Sequence, residues 1–140
     1  MTAGWRLGGD VSVIEDDGDG KIYATIGMMV EIREYRERDG GNPFREWTDA
    51  LDFAPAQKVA RALYRMGQGN FSNIKGVGGG VLECRIHFGP GYRVYFGKDG
   101  DEIVILLGGG TKQRQQNDIA RALGRWEDYK LRKKQRKEED

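Results

Sequence analysis

The chain is short of the residues that metal and disulfide chemistry require. Among 140 residues there is one cysteine, Cys84, and one histidine, His87. A single cysteine forms no internal disulfide, and a structural zinc site takes several Cys and His ligands, so neither staple is available. Proline is scarce as well, and each of its three copies punctuates: Pro43 and Pro55 suit helix starts, and Pro90 sits in a Gly-Pro-Gly turn. Long hydrophobic runs are missing. The longest uninterrupted one, Ile103–Leu107, is far too short to cross a bilayer, and no basic start followed by an apolar run marks a signal peptide. No membrane is expected as a partner, and the expected compartment is the cytoplasm. Charge of one sign is not in excess either, since the net charge is +1.

What is present fits one soluble domain with one core: 38% hydrophobic and 32% charged residues over a length that can bury an interior. The near-neutral total hides a gradient. Residues 1–29 carry two basic and five acidic groups, residues 30–71 carry seven of each, and residues 72–140 carry fourteen basic and ten acidic. An anion-binding surface is therefore expected in the second half.

Hydrophobic spacing predicts the elements. Val11–Ile14 and Ile22–Ile26 read as a hairpin around the Asp16–Gly20 turn cluster, and Val30, Ile32 and Tyr35 as a strand. Asn42-Pro43 opens a short helix with Phe44, Trp47 and Leu51 on one side. Pro55 begins a second helix with Val59, Leu63 and Met66 inward, stopped by Gly67 and Gly69. A glycine-rich passage, Gly76 to Gly80, leads into ECRIHFGPGYRVYF (Glu83–Phe96), which reads as two strands and a turn. Ile103–Leu107 predicts a strand buried on both faces, ended by Gly108-Gly109-Gly110. Thr111 is a candidate N-cap for a long helix bearing Ile119, Leu123 and Trp126, and Leu131–Asp140 predicts a fraying charged tail. The fold class is α+β: a small, mostly antiparallel sheet packed by an N-terminal α-hairpin and a C-terminal helix.

Alternation within Glu83–Phe96 places Cys84, Ile86 and Phe88 on a core face with Tyr92, Val94 and Phe96. Arg85 and His87 fall on the other face, with Arg93 and Tyr95 across from them. Two guanidiniums, an imidazole and a phenol suit a phosphodiester. Arginines close by disfavour the charged imidazole, and a neutral one is a competent general base. A solvated face with an incidental histidine is the alternative. Cys84 reads as a small core residue. Elsewhere the templates fail. From Asp17 a calcium loop would need an oxygen ligand at Lys21 and a glycine at Ile22. Gly108–Lys112 lacks the phosphate-loop spacing, and Gly76–Gly80 lacks the third glycine of a dinucleotide loop. A weaker expectation survives for Gly108–Lys112: either exposed backbone N–H groups and Lys112 attract an anion at the helix start, or it is an ordinary junction. Lys133, Lys134, Arg136 and Lys137 read as a solvated helix end. No metal or other cofactor is implied.

The order of elements and three motifs together resemble the RelE/ParE toxin superfamily, in its branch of phage-derived, HigB-like addiction module killer proteins. The motifs are FGPGYRVYF, then LLGGGTKxxQ, then DIxRA, with further matches at Val30–Tyr35, Pro43–Trp47 and Asn70–Gly76. The resemblance spans Met29 to about Tyr129. It implies a division into residues 1–28 (an extension or accessory hairpin), a toxin domain over 29–130 and a tail over 131–140. It implies the toxin of a type II toxin–antitoxin pair, with a HigA-like helix-turn-helix antitoxin as partner, and metal-independent cleavage of mRNA on the ribosome. The family's site residues fall on His87 as base or acid, Arg85 and Arg93 as phosphate clamp, and Lys112 as a further cation. Tyr95 would orient the ribose or stack on a base, and Lys75, Arg114 and Gln116 would contact RNA. Two departures stand out: Gln115–Ile119 holds no tyrosine where some members carry one, and there is no second histidine. A DNA gyrase inhibitor of the ParE type, or an antitoxin-binding homologue without catalysis, is the alternative implied by the same superfamily.

Overall fold

The computed structural model describes residues 13–16, 22–25 and 30–139. Strands β1 (Val13–Asp16) and β2 (Ile22–Thr25) pair antiparallel, as the sequence predicts, from Val13 opposite Thr25 to Asp16 opposite Ile22. Val11, Ile26 and the Asp17–Gly20 turn lie outside the described residues.

The main sheet has five strands in the order β3-β7-β6-β5-β4. They are β3 (Glu31–Glu34), β4 (Ile74–Gly78), β5 (Val81–Ile86), β6 (Tyr92–Asp99) and β7 (Ile103–Thr111). Neighbours are antiparallel except β3 and β7, which run parallel and need the long crossover that the helices supply. Helix α1 (Pro43–Asp49) starts where expected, because the Asn42 side chain accepts from the Arg45 backbone N–H and Pro43 needs no donor partner there. Helix α2 (Phe53–Gly67) buries Pro55, Val59, Leu63 and Met66. After a 3₁₀ turn at Lys112–Arg114 comes α3 (Gln115–Glu139). The architecture is α+β with a mixed sheet.

Two cores lie on the two sides of this sheet. Val30, Ile32, Phe44, Leu63, Val94, Phe96 and Leu106 form one beneath α1 and α2. Tyr35, Val81, Tyr95, Ile105, Leu107 and Trp126 form the other beneath α3. Val104–Leu107 is thus buried on both faces, as the unbroken apolar run predicts, with Ile103 partly buried at its start.

Four expectations need correction. Ile74–Gly78 is a strand, so four consecutive strands precede α3, not three. Gly79 and Gly80 make its two-residue turn at φ of 61° and 87°, values that both central positions of a type I′ turn require. Gly108–Gly110 do not end β7; they pair within it, opposite Tyr95, Val94 and Arg93. Their missing side chains make room for the helices. A Cβ on Gly109 would lie 2.3 Å from the Trp47 ring, and one on Gly110 would lie 1.9 Å from the Asp118 carboxylate. Thr111 makes no side-chain cap bond. The segment from Leu131 is helical to Glu139, and its start is tied to the sheet because Lys133 and the Tyr129 hydroxyl both bind Asp99, the latter at 2.6 Å. Among the described residues no helix is long and apolar enough to cross a membrane.

Candidate anion-binding site

Register assembles the site. Lys75, Glu83, Tyr95 and Gly108 stand opposite one another across β4, β5, β6 and β7, and Arg85, Arg93 and Gly110 form the next row but one. Residues two apart share a sheet face, so both rows lie on the α3 side, ahead of the helix start. At their centre is Glu83, with no exposed surface. Arg85 Nε donates to Glu83 Oε1 at 3.1 Å, and Gln115 Nε2 donates to Oε2 at 2.8 Å. Arg93 Nε lies 3.5 Å from Oε2, an ion-pair distance without hydrogen-bond alignment. Burial alone would raise the Glu83 carboxyl, but the bonds from Arg85 and Gln115 and the charge of Arg93 outweigh it and hold the group below its ordinary value. A glutamate held toward its ionised form thus accepts a hydrogen bond from one guanidinium and pairs with the other, each through its Nε atom.

The predicted residues divide. Arg85 is partly exposed, with 39% of its side chain accessible, whereas Arg93 is nearly buried. Lys112 joins them: its backbone N–H donates to Gly91 O at 3.1 Å, and the same Gly91 has Arg93 Nη1 beside it. Lys75 is exposed opposite Glu83. Arg114 is exposed farther along, in the cleft with Trp47 and Asp118. Gln116 is exposed and reaches nothing in the site; its neighbour Gln115 is the glutamine that does.

Tyr95 and His87 depart from expectation. Tyr95 is fully buried, leaving no ring face for a base or ribose. Its hydroxyl lies beside Glu83, out of line for a full hydrogen bond, and burial and that carboxylate push the phenol well above its usual range. His87 is exposed and lies past the end of β5, not on the sheet face. The chain bends after Ile86, where the Phe88 N–H donates to Ile86 O at 3.0 Å and Gly89 and Gly91 take φ of 54° and 84°. Phe88 accordingly leaves the strand register and lies in the turn, its ring 6.5 Å from that of Tyr92. Of its expected neighbours Arg85 stays with it, and Arg93 and Tyr95 do not: His87 lines a cleft with Arg85 and with Lys58, Arg61 and Arg65 of α2.

Cys84 is buried, and burial with the nearby Glu83 charge pushes its thiol up to about 11, as suits a core residue. The Gly108–Lys112 expectation changes too. No glycine loop cradles an anion there, because the glycines are sheet, and only the Lys112 charge remains. Sequence reasoning missed Glu83, although its signal was present: it stands two residues before Arg85 and so shares its face. Gln115 and Asp118 carried no comparable signal, because they reach the site only through the angle at which α3 crosses the sheet.

The arrangement presents the terminal guanidinium nitrogens of Arg85 and Arg93, with Lys112 and Lys75 around them, to an oxyanion. No family model matches this chain. An uncharacterized protein of Haemophilus influenzae is 41% identical over 80 residues, which cover 56% of this chain and 81% of that protein. At that identity and coverage, the chain belongs to the same family as the Haemophilus influenzae protein.

Proposed function

We propose that this chain is the toxin of a type II toxin–antitoxin pair, a RelE/ParE-like endoribonuclease that cuts mRNA on the ribosome without a metal. The observation that carries the reading is the Arg85–Glu83–Arg93 arrangement beside Lys112. A buried carboxylate fixes two cations at the open end of a sheet face, and such preorganised charge is what a phosphorane-like transition state needs. In the reaction the ribose 2′-oxygen bonds to phosphorus while the bond to the 5′-oxygen breaks, leaving a 2′,3′-cyclic phosphate. Arg85, Arg93 and Lys112 stabilise the added negative charge. His87, exposed beside Arg85, takes the 2′-hydroxyl proton while water protonates the leaving 5′-oxygen, or supplies that proton while water takes the first. Lys75 and Arg114 position the strand, and a HigA-like antitoxin covers the site at rest.

One observation favours a second reading, binding without cleavage, as in a gyrase inhibitor or an inactive antitoxin-binding homologue. With Tyr95 buried, His87 is the one predicted group left in reach of proton transfer. Induced expression with and without the neighbouring gene, followed by mapping of mRNA 5′ ends, separates the two. Discrete new ends inside reading frames, lost with Arg93→Ala and with His87→Ala, support cleavage. Growth arrest with intact mRNA and an induced DNA-damage response supports gyrase inhibition instead.

A further inference from the structure

The cleft that receives His87 has a chemistry of its own. It lies between α2 and the free end of β5, holds about 250 Å³, and is lined by Lys58, Arg61, Arg65, Arg85 and His87 with no carboxylate. Lys58, Arg61 and Arg65 recur at i, i+3 and i+7, so they stand in one row on the helix. None of the three has an ion-pair partner among the described residues. Cations in one row with no counter-charge repel one another, and an anionic ligand removes that repulsion. Across the cleft the rim is joined to the sheet: Asn73 adopts φ of 67°, a left-handed conformation that asparagine tolerates, and its carbonyl accepts from the Arg85 N–H at 3.2 Å.

We infer that this cleft is a track for the backbone of single-stranded RNA, carrying the strand away from the Arg85–Arg93 clamp along α2. The inference rests on the ribonuclease reading above and extends it to a surface that the reading does not use. The length of the row points to a strand and not to a lone phosphate, and the ribonuclease reading selects RNA over an acidic peptide. The row from Lys58 to Arg65 spans about 10 Å at 1.5 Å per residue, longer than one phosphate group. At one end of the row Lys58 sits over the Phe88 ring at 5.3 Å, and Phe88 stacks with Tyr92, both rings being partly buried against the core. A groove lined with cations that follows the backbone holds a single strand without regard to its sequence.

Fluorescence anisotropy of a labelled, short single-stranded oligoribonucleotide against the purified chain, repeated over a salt series, tests this. Arg61→Ala/Arg65→Ala should weaken binding by about tenfold or more and lower the salt slope by about 1.4, or 0.7 for each phosphate that the variant no longer neutralises. Both side chains are exposed, so the variant keeps its fold, which a thermal melt verifies. Lys134→Ala/Lys137→Ala removes equal charge from the far end of α3 and should leave the slope unchanged. Wild-type affinity and slope in the α2 variant, or equal losses in both variants, would overturn the track. The parent reading fails separately: a chain that binds RNA through α2 yet leaves cellular mRNA uncut keeps the track and loses the nuclease.

Discussion

A carboxylate with no exposed surface persists only where its partners exceed the cost of taking it out of water. Glu83 meets that condition through Arg85, Arg93 and Gln115, and so its worth lies in what its removal would strand. Glu83→Gln keeps the shape, deletes the charge, and leaves the nearly buried Arg93 without a counter-ion. It should cost about 3 kcal/mol in urea denaturation. Glu127→Gln, which breaks an exposed pair with Lys130, should change stability by less than about 0.5 kcal/mol. Equal effects from the two would show that Glu83 anchors nothing. Asp118 has the opposite sign. Its Oδ2 is buried with no hydrogen-bond partner among the described residues, and burial raises its carboxyl despite Arg114, Arg121 and Arg125 nearby. Asp118→Asn should therefore raise the melting temperature at neutral pH, and the gain should vanish in acid, where Asp118 takes up its proton.

The helices are placed by side chains that β7 lacks. Trp47 rests on Gly109, and Asp118 rests on Gly110 from the opposite face, so consecutive glycines let α1 and α3 approach from both sides. Gly109→Ala drives a methyl into the Trp47 ring and should destabilise by about 2 kcal/mol. Adding Trp47→Ala should cost less than the sum of the two changes, because the first has already spoiled the packing there. Strict additivity in a double-mutant cycle would place Trp47 elsewhere. Here the sequence was half legible. Asn42-Pro43, the α2 stripe and the Cys84, Val94, Phe96 register all follow from local spacing. Gly108–Gly110 was unreadable locally, because glycine that ends a strand and glycine that admits a packed tryptophan look alike until the partner helix is known. Ile74–Gly78 was hidden for a related reason: it carries two glycines and owes its strand to pairing with β5.

Across the whole molecule, the basic second half did produce a cationic site, but charge counts could not show that Glu83 neutralises its centre or that His87 leaves the face. Those depend on register and on a bend set by Gly89 and Gly91. The same coupling of charge to fold governs the response to acid. Glu83, Asp99 and Asp128 are all held below their ordinary values. In each, burial is outweighed by hydrogen bonds: from Arg85 and Gln115 to Glu83, from Lys133 and Tyr129 to Asp99, and from Tyr35 and Arg38 to Asp128. A carboxyl depressed by folding adds stability that is fully present above its unfolded pKa, about 4, and is lost as pH falls through the folded value. Asp118, raised by burial, acts in reverse and gains stability over its own range, yet it stands against three groups. The melting temperature should therefore hold from neutral pH to about 5 and fall below it, with net proton uptake on unfolding. Glu83→Gln should start lower and fall less steeply, since one of the three titrating groups is gone. Calorimetry across that pH range measures both slopes. An acid limb unchanged by Glu83→Gln would mean that the Glu83 carboxyl titrates alike in the folded and unfolded chain, and that Arg85 and Arg93 do not depend on it.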